Sequence, residues 1–546
     1  MPSPSSSSST SRIDQSASLS INALLSEDKW GGATGTGVTL SYSFPWTSSS
    51  SAVFSGHNGT GDYSSRNEQN ASSHYGLNTT EQAAARGALQ SWASVANIVF
   101  DEVADTSTNV GDIRFAWTSA PRLNSSNEPA WGWAGYPDSY WPSGGDIWIS
   151  TLSSGATSSD WSAGSGNYVS LIHELGHALG LKHSFGGSPV LSGSQDSDQY
   201  TVMSYTNHPH SLFIRVTHNA NGSVSYRSYN VQPDTPMLYD VAAIQYLYGA
   251  NLTYRTGNDV YTFDPNTPFL RTIWDAGGTD TISVSNFVKS CVIDLRQGQF
   301  SKVTIESDST AGYNWNSPPP QPTYDGTDNL AIAYGSVIEN AIGGSGSDTL
   351  IGNDAHNRLE GGGGNDTLDG GAGIDTSAYG SSRASYTVAR TATGFTVSGG
   401  ADGSDTLTNI ERLQFSNTFL AIDLAGNAGT TAKILGAVFG ASSLSNKQYV
   451  GIGLSYLDAG MSYQDLTQLA LNARLGAGFS NAAEVNLLYQ NLVGVPPSAA
   501  DLNFWTGTLS SGQFSQASLA VMAADDNLNT TNINLVGLAQ TGIEYS

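Results

Sequence analysis

The chain has 546 residues, of which 38% are hydrophobic, so it is long enough for about three to four domains with real cores. Its 21 Lys and Arg against 46 Asp and Glu give a formal net charge of −25, which argues against nucleic acid or anionic membranes as partners and favours cations. The single cysteine, Cys291, excludes an intramolecular disulfide, and the absence of a long apolar run predicts no membrane span.

The first 250 residues predict an N-terminal tail followed by a domain that contains both helices and strands. Residues 1–20 are Ser-rich, without a basic start or an apolar segment, and predict a disordered tail or short propeptide rather than a signal peptide. Residues 21–250 predict an α/β or α+β domain. Its expected strands are 39–44, 112–117 and 145–150, and its expected helices are 80–95, with Thr79 or Thr80 as N-cap, 168–180 and 240–248.

Two changes of composition follow. Residues 251–425 are rich in Gly, Asp, Asn and Thr, and they predict a β domain that contains a nine-residue repeat. Residues 426–546 predict a small all-α domain, with helical spacing in 431–440, 463–475 and 482–492.

A metal-binding pattern occupies residues 173–183, HELGHALGLKH. His173 and His177 are four apart and share one helix face, and Glu174 can reach water at the same ion. Gly180 allows a sharp turn that returns His183 as a third nitrogen ligand. Three histidines leave a coordination position open, which is typical of a catalytic rather than a structural zinc ion.

Residues 201–205, TVMSY, supply a second signal. A Met-turn of this kind accompanies the long zinc motif. Met203 alone would more often be ordinary core, and here it is expected to lie beneath the metal in a structural role.

The repeat units start at Gly343, Gly352, Gly361 and Gly370 and follow the pattern G-G-x-G-x-D-x-U-x, which binds calcium in a parallel β-roll. Two units make one coil, so partners lie about eighteen residues apart. Asn357 stands where the pattern has Asp, which weakens one pair. The predicted calcium residues of the repeats are Gly343, Gly344, Gly346, Asp348, Gly361, Gly363, Asp366, Gly370 and Asp375.

Over roughly residues 35–380 the chain resembles the serralysins, the bacterial calcium-dependent branch of the metzincin zinc proteases. The resemblance is carried by the zinc motif, the Met-turn and the segments 240–257, 274–282 and 338–353. It implies one zinc ion on His173, His177 and His183, Glu174 as general base, and Tyr205 as a hinged ligand that stabilises the oxyanion. It also implies calcium ligands near the domain junction at Arg255 (through its carbonyl), Gly257, Asp259, Asp275, Gly277, Asp280 and Glu339.

The sequence departs from that family after Tyr205, where Thr206 and Asn207 replace the usual aromatic residue. This departure concerns the wall of the substrate cleft and not the metal ligands. His208 and His210 are expected to be surface loop residues rather than ligands.

The resemblance further implies a secreted, extracellular bacterial protein that leaves the cell unfolded by type I secretion machinery, without an N-terminal signal peptide. Clustered acids would keep the repeats unfolded until extracellular calcium binds. The expected partners are protein or peptide substrates, the secretion machinery and, as a further option, a proteinaceous inhibitor, with the chain as a monomer.

The C-terminal segment 491–512 resembles helical modules of the class labelled DUF4214 that are appended to exported repeat proteins. A passive secretion or solubility tail is the competing interpretation. Leu502, Phe504 and Trp505 could form core or a ligand platform, and core is favoured.

Three classes of function compete. The favoured one is a zinc endopeptidase, because the base, the three histidines and Tyr205 are all present. The alternative is a non-enzymatic adhesion or surface protein with a vestigial zinc site. A sugar-active enzyme lacks a convincing site.

Overall fold

The computed structural model describes residues 3–4, 9–47, 52–56, 62–124, 126–138 and 142–546. It contains two compact units, one formed by residues 1–280 and 296–338 and the other by residues 281–295 and 339–546. The first of these bounds differs from the predicted boundary at residue 250 because strands within 281–295 pair with the repeats. The second unit continues past the predicted boundary at residue 425, where Thr418–Ala421 pairs with Ile543–Tyr545. None of the helices in the described part of the chain is both long and apolar enough to cross a membrane.

A mixed sheet is the framework of the first unit. Its strands lie in the order Ile98–Glu102, Val38–Ser43, Ile113–Thr118, Ile147–Ser150 and Gly132–Ala134, with His74–Gly76 paired to Ile113–Thr118. Neighbours are parallel except for the antiparallel edge strand Gly132–Ala134 and the antiparallel strand His74–Gly76. The three predicted strands are confirmed to within two residues.

The principal helices of this unit are Thr79–Val95, Gly166–Ala178 and Leu238–Tyr248. The first begins at Asn78, whose side chain accepts from the amides of Thr80 and Glu81 while Glu81 accepts from the Asn78 amide. The predicted threonine cap is therefore wrong, since Asn78 completes a reciprocal capping box. Fully buried Trp92 donates from Nε1 to the carbonyl of Ile172 at 3.1 Å and ties this helix to the next.

The N-terminal segment differs from the predicted disordered tail. Thr10–Arg12 pairs antiparallel with Asp28–Trp30, and a short helix, Leu19–Asn22, follows. Composition could not predict this strand, because the pairing is made by backbone hydrogen bonds, which do not depend on the side chains. Residues 1–2 and 5–8 of the predicted tail lie outside the described residues.

Shorter strands complete the first unit. They are Ser3–Pro4 paired with Asn109–Val110, the hairpin Leu212–His218 with Val224–Asn230, the strand Val260–Thr262, and the group Arg271–Ile273, Leu330–Ile332 and Phe300–Ser301.

Two largely parallel sheets form the repeat part of the second unit. One sheet has the order Thr281–Ser283, Asn340–Ile342, Arg358–Glu360, Thr376–Ala378, Arg412–Phe415, Thr418–Ala421, Ile543–Tyr545. The other has the order Val292–Asp294, Thr349–Ile351, Thr367–Asp369, Gly403–Thr408, Phe395–Gly399, Tyr386–Arg390. Leu350 pairs in register with Leu368, so the predicted spacing of eighteen residues is confirmed, and both side chains are buried.

Helices follow the repeats in the second unit. They are Asn427–Phe439, Lys447–Asp458, Tyr463–Leu475, Asn481–Leu492, Ala499–Ser510, Gln516–Asp525, Asn527–Asn532 and Leu535–Thr541. The prediction of an all-α end is wrong for Ile543–Tyr545, a strand that pairs antiparallel with Thr418–Ala421. Leu502 and Trp505 pack against the helical core as predicted, whereas Phe504 is 61% exposed.

Candidate functional site

The site is built on the helix Gly166–Ala178, called here the site helix. Ser165 caps it by accepting from the amide of Tyr168. The helix ends two residues earlier than predicted, and Gly180 then adopts a φ of +103°. A Cβ at Gly180 would lie 2.8 Å from the carbonyl oxygen of Asp28, so only glycine fits this turn.

The turn brings the three predicted histidines together. The Nε2 atom of His183 lies 3.2 Å from Nε2 of His173 and 3.0 Å from Nε2 of His177. Among the described residues, these histidines form one of two groups whose ligand atoms all lie within 4.8 Å of one another.

Hydrogen bonds on the far side of the rings fix which nitrogens face each other. His173 donates from Nδ1 to the carbonyl of Val202 at 2.6 Å, and His177 donates from Nδ1 to the carbonyl of Leu181 at 2.7 Å. Burial lowers the pKa of His173 and of His183 to about 4, and burial and the neighbouring histidines hold the pKa of His177 well below its usual value. Neutral Nε2 lone pairs therefore converge on one point, which fits a zinc ion.

Glu174 and Tyr205 lie at the same centre. Glu174 is 7% exposed, and burial raises its pKa to about 7, against the opposing effects of Arg122 and the backbone of Ala134. The hydroxyl of Tyr205 is 2.9 Å from Nε2 of His183, while its side chain is 60% exposed. A carboxylate and an exposed phenol thus flank the histidine cluster.

Two aromatic residues that the sequence did not indicate also touch the histidines. Phe185 stacks on His183 with ring centroids 5.0 Å apart, and Tyr136 contacts His177 edge-to-face at 5.4 Å. They shield the imidazoles from water and limit the directions in which the rings can turn.

Met203 is fully buried against the site helix. A Cβ at Gly176 would lie 2.5 Å from Met203 Sδ, so this glycine is what lets the Met-turn approach the helix. The turn is held by Asp240, a buried carboxylate that accepts from Thr201 Oγ1 and the amides of Val202 and Met237 at 2.5, 2.7 and 2.9 Å. No motif around Asp240 predicted this role.

The second group of potential ligands is Asp259, Asp275 and Asp280. The amide of Asp259 donates to Asp280 at 2.7 Å, and Tyr261 donates to Asp275 at 2.6 Å. Arg255, with a φ of +51°, reaches Asp259 with its guanidinium at 3.1 Å, a contact not expected from a residue assigned only a carbonyl role.

The remaining predicted residues around this group are glycines and Glu339. The amide of Gly277 donates to Asp275 at 3.0 Å. The carbonyl oxygen of Gly257 lies close to Gly278, since a Cβ at Gly278 would be 2.0 Å from that oxygen. Glu339 belongs to the second unit, where its carbonyl accepts from Asn357 Nδ2 at 2.9 Å.

The repeat acids form a ladder of hydrogen bonds. Asp366 accepts from the amide of Asp348 at 2.7 Å, and Asp375 accepts from the amide of Asn357 at 2.7 Å. One oxygen of Asp366 and one of Asp375 stay buried without a hydrogen-bond partner among the described residues, as a cation site requires.

Asp405 and Glu411 extend the ladder. They accept from the amides of Asp366 and Asp375 at 3.0 and 2.9 Å. Both lie C-terminal to the four repeat units, which is why the repeat pattern did not include them.

The predicted repeat glycines stand at the turns between coils. The amides of Gly343, Gly344, Gly363 and Gly370 donate to Glu360, Asp348, Gly344 and Thr408. A Cβ at Gly343 would lie 2.1 Å from the carbonyl of Gly361, and one at Gly346 would lie 2.5 Å from the amide of Ser290. These turns therefore exclude side chains.

The loop after Tyr205 corrects one expectation. His208 is only 2% exposed, and its Nδ1 accepts from the amide of His210, so it is not a surface residue. His210 is exposed as predicted, and neither histidine belongs to the metal-ligand groups.

Two sequence families match the chain. The family described as Matrixin matches residues 63–201, and the family described as Peptidase M10 serralysin C terminal matches residues 245–308 and 325–432. Neither match includes the helices after Phe439.

Individual relatives agree with these families. Serralysin of Proteus mirabilis is 32% identical over 305 residues, which are 50% of this chain and 54% of that protein. Serralysin B and a Serralysin C of Dickeya chrysanthemi are 34% and 33% identical, over 49% and 62% of this chain and 52% and 63% of those proteins. The chain thus spans little more than half the length of the curated relatives it matches. From the histidine site and these matches, the chain is similar to the serralysins, with a Matrixin-family sequence over residues 63–201 followed by a serralysin C-terminal sequence.

Proposed function

We propose that the protein is a secreted zinc-dependent endopeptidase. The observation that carries the proposal is the convergence of three neutral histidine nitrogens beside Glu174 and Tyr205. This centre opens into a cleft of about 460 Å³ that Glu174 and His173 line, which gives a peptide chain access to it. The adhesion alternative is not favoured, since both matched families are peptidases.

The residues of the chain divide the chemistry between them. His173, His177 and His183 would hold zinc, which when bound activates water and polarises a carbonyl. Glu174 takes a proton from the attacking water and delivers it to the nitrogen of the leaving amine as the C–N bond breaks. Tyr205, exposed and hinged beside His183, donates a hydrogen bond to the oxygen that becomes negatively charged.

Calcium has a structural part in the same proposal. Asp259, Asp275 and Asp280 form a compact acidic group, and the repeat ladder leaves carboxylate oxygens unpaired, so both regions need cations to fold. We assign the two parallel sheets as a calcium-binding β-roll. Extracellular calcium would then stabilise the folded form after type I secretion.

Casein cleavage by the purified full chain tests the activity. The assay contains calcium throughout and is run with and without a zinc-selective chelator, beside the variant Glu174→Ala. We expect cleavage that the chelator abolishes, that added zinc restores and that the variant lacks while it still binds zinc. Cleavage by Glu174→Ala at the wild-type rate would refute the assignment of the base, and failure of the zinc-loaded wild type to cleave casein would refute the function.

A further inference from the structure

The cleft beside the histidines contains a carboxylate outside the catalytic machinery. Asp198 lines this cleft together with His173 and Glu174 and is 7% exposed. Its amide donates to the carbonyl of Thr206 at 2.9 Å, which holds it on the loop before the Met-turn. Its carboxylate accepts no hydrogen bond from the described residues, so a group that enters the cleft is the partner left for it.

The neighbouring acids are already satisfied. Asp196 accepts from the hydroxyls of Ser184 and Ser204, and Asp240 accepts the three hydrogen bonds that hold the Met-turn. Burial raises the pKa of Asp198 well above its usual value, and the nearby carboxylates of Asp240 and Asp196 raise it further. An acid in this position gains most from a cation placed beside it.

No Lys or Arg lines the cleft within the part of the chain that the structure describes. The other polar lining residues are neutral apart from the catalytic centre, namely Asn124, Ser126, Ser170, Ser204, Asn207 and Gln232. Trp131, Val169 and Val202 provide apolar wall. Arg122, the cation that acts on Glu174, is not among the lining residues.

The structure assigns Asp198 as a specificity-determining residue that selects a lysine or arginine side chain next to the scissile peptide bond. This inference rests on the proposed peptidase function. The apolar wall receives the methylene stem of the basic side chain, and its charged head reaches Asp198. The cleft volume of about 460 Å³ accommodates a side chain of that length.

The test is a set of fluorogenic peptides that differ only at the two residues flanking the scissile bond, with Lys, Arg, Leu, Gln or Glu at each. For the wild type we expect kcat/KM to be about tenfold or more higher with Lys or Arg than with Leu at one of these positions. Asp198→Asn should reduce that ratio to about threefold or less, and Asp198→Lys should invert it in favour of Glu.

A matched control is Asp264→Asn, the same chemical change at an exposed loop residue outside the cleft, which should keep the wild-type ratio. Zinc content and thermal unfolding verify each variant before assay. A wild type that cleaves peptides without a basic preference, or an Asp198→Asn that keeps the preference, overturns the assignment of Asp198 alone. Failure to cleave any peptide overturns the peptidase function together with it.

Discussion

Asp240 provides the sharpest test of how the fold holds the metal ligands. Its carboxylate accepts from the amides of Val202 and Met237, and the carbonyl of Val202 in turn accepts from Nδ1 of His173. Asp240→Ala removes the acceptor of two buried amides. We therefore expect His173 to lose its fixed orientation as well as the protein to lose stability.

The magnitude follows from those bonds. Each orphaned buried amide costs about 1–3 kcal/mol, or about 2–6 kcal/mol for the pair. The substitution also removes a buried charge, which offsets part of this loss. Burial raises the pKa of Asp240 to about 7 because its charged form is poorly solvated in the folded protein. We expect a loss of about 3 kcal/mol in unfolding free energy and, because the ligand support is lost, a fall of about 10- to 100-fold in zinc affinity.

Urea unfolding measures the first quantity, and competition with a zinc chelator under folding conditions measures the second. The control is Asp234→Ala, which breaks the ion pair with Arg271 in the same unit and should lower stability without changing zinc affinity. If Asp240→Ala binds zinc within twofold of the wild type, the chain from Asp240 through Val202 to His173 does not support the site.

Three further predictions concern packing, pH and calcium. Gly176→Ala should cost about 1–3 kcal/mol in urea unfolding, because its Cβ would collide with Met203 Sδ; unchanged stability would contradict that packing. Glu484 is fully buried, neither carboxylate oxygen has a partner among the described residues, and burial raises its pKa to about 8. Since the pKa of the carboxyl in the unfolded chain is about 4.3, the free energy of unfolding should fall as pH rises from 5 to 8, and calorimetry of Glu484→Gln should show a smaller fall. Chelation of calcium should lower the melting temperature of the protein. Because burial raises the pKa of Asp366 and Asp375 to about 7, acidification should protonate them and partly restore the melting temperature. Equal melting temperatures with and without chelator would count against calcium in the repeats.

Local spacing was enough to predict the histidine site. The four-residue interval of His173 and His177 and the glycine turn before His183 depend only on helix geometry and on one positive φ. The residues that support the site could not be predicted from the sequence. Val202 lies 29 residues from His173, and Asp240 lies a further 38 residues along the chain. Contacts at such separations leave no periodic signal in the sequence.

The repeats show the same limit. The period of nine predicted the pairing of Leu350 with Leu368, but Asp405 and Glu411 join the ladder at separations of 39 and 36 residues. These acids follow an inserted hairpin, Tyr386–Arg390 with Phe395–Gly399, and only the folded structure restores their register.

The hydrogen bonds between the repeat amides and acids all run in the same direction along the chain, so the repeat region can change its length by whole coils. The amide at the acid position of each repeat unit donates to a carboxylate on the next coil, and the series is closed by Asp405 and Glu411. Deleting one coil of 18 residues, such as 353–370, would place Asp348 where Asp366 now meets Asp405, so no amide would be orphaned. Coils can therefore be gained or lost as whole units, and natural variation in repeat number is expected to come in multiples of two repeats while the closing acids stay in place.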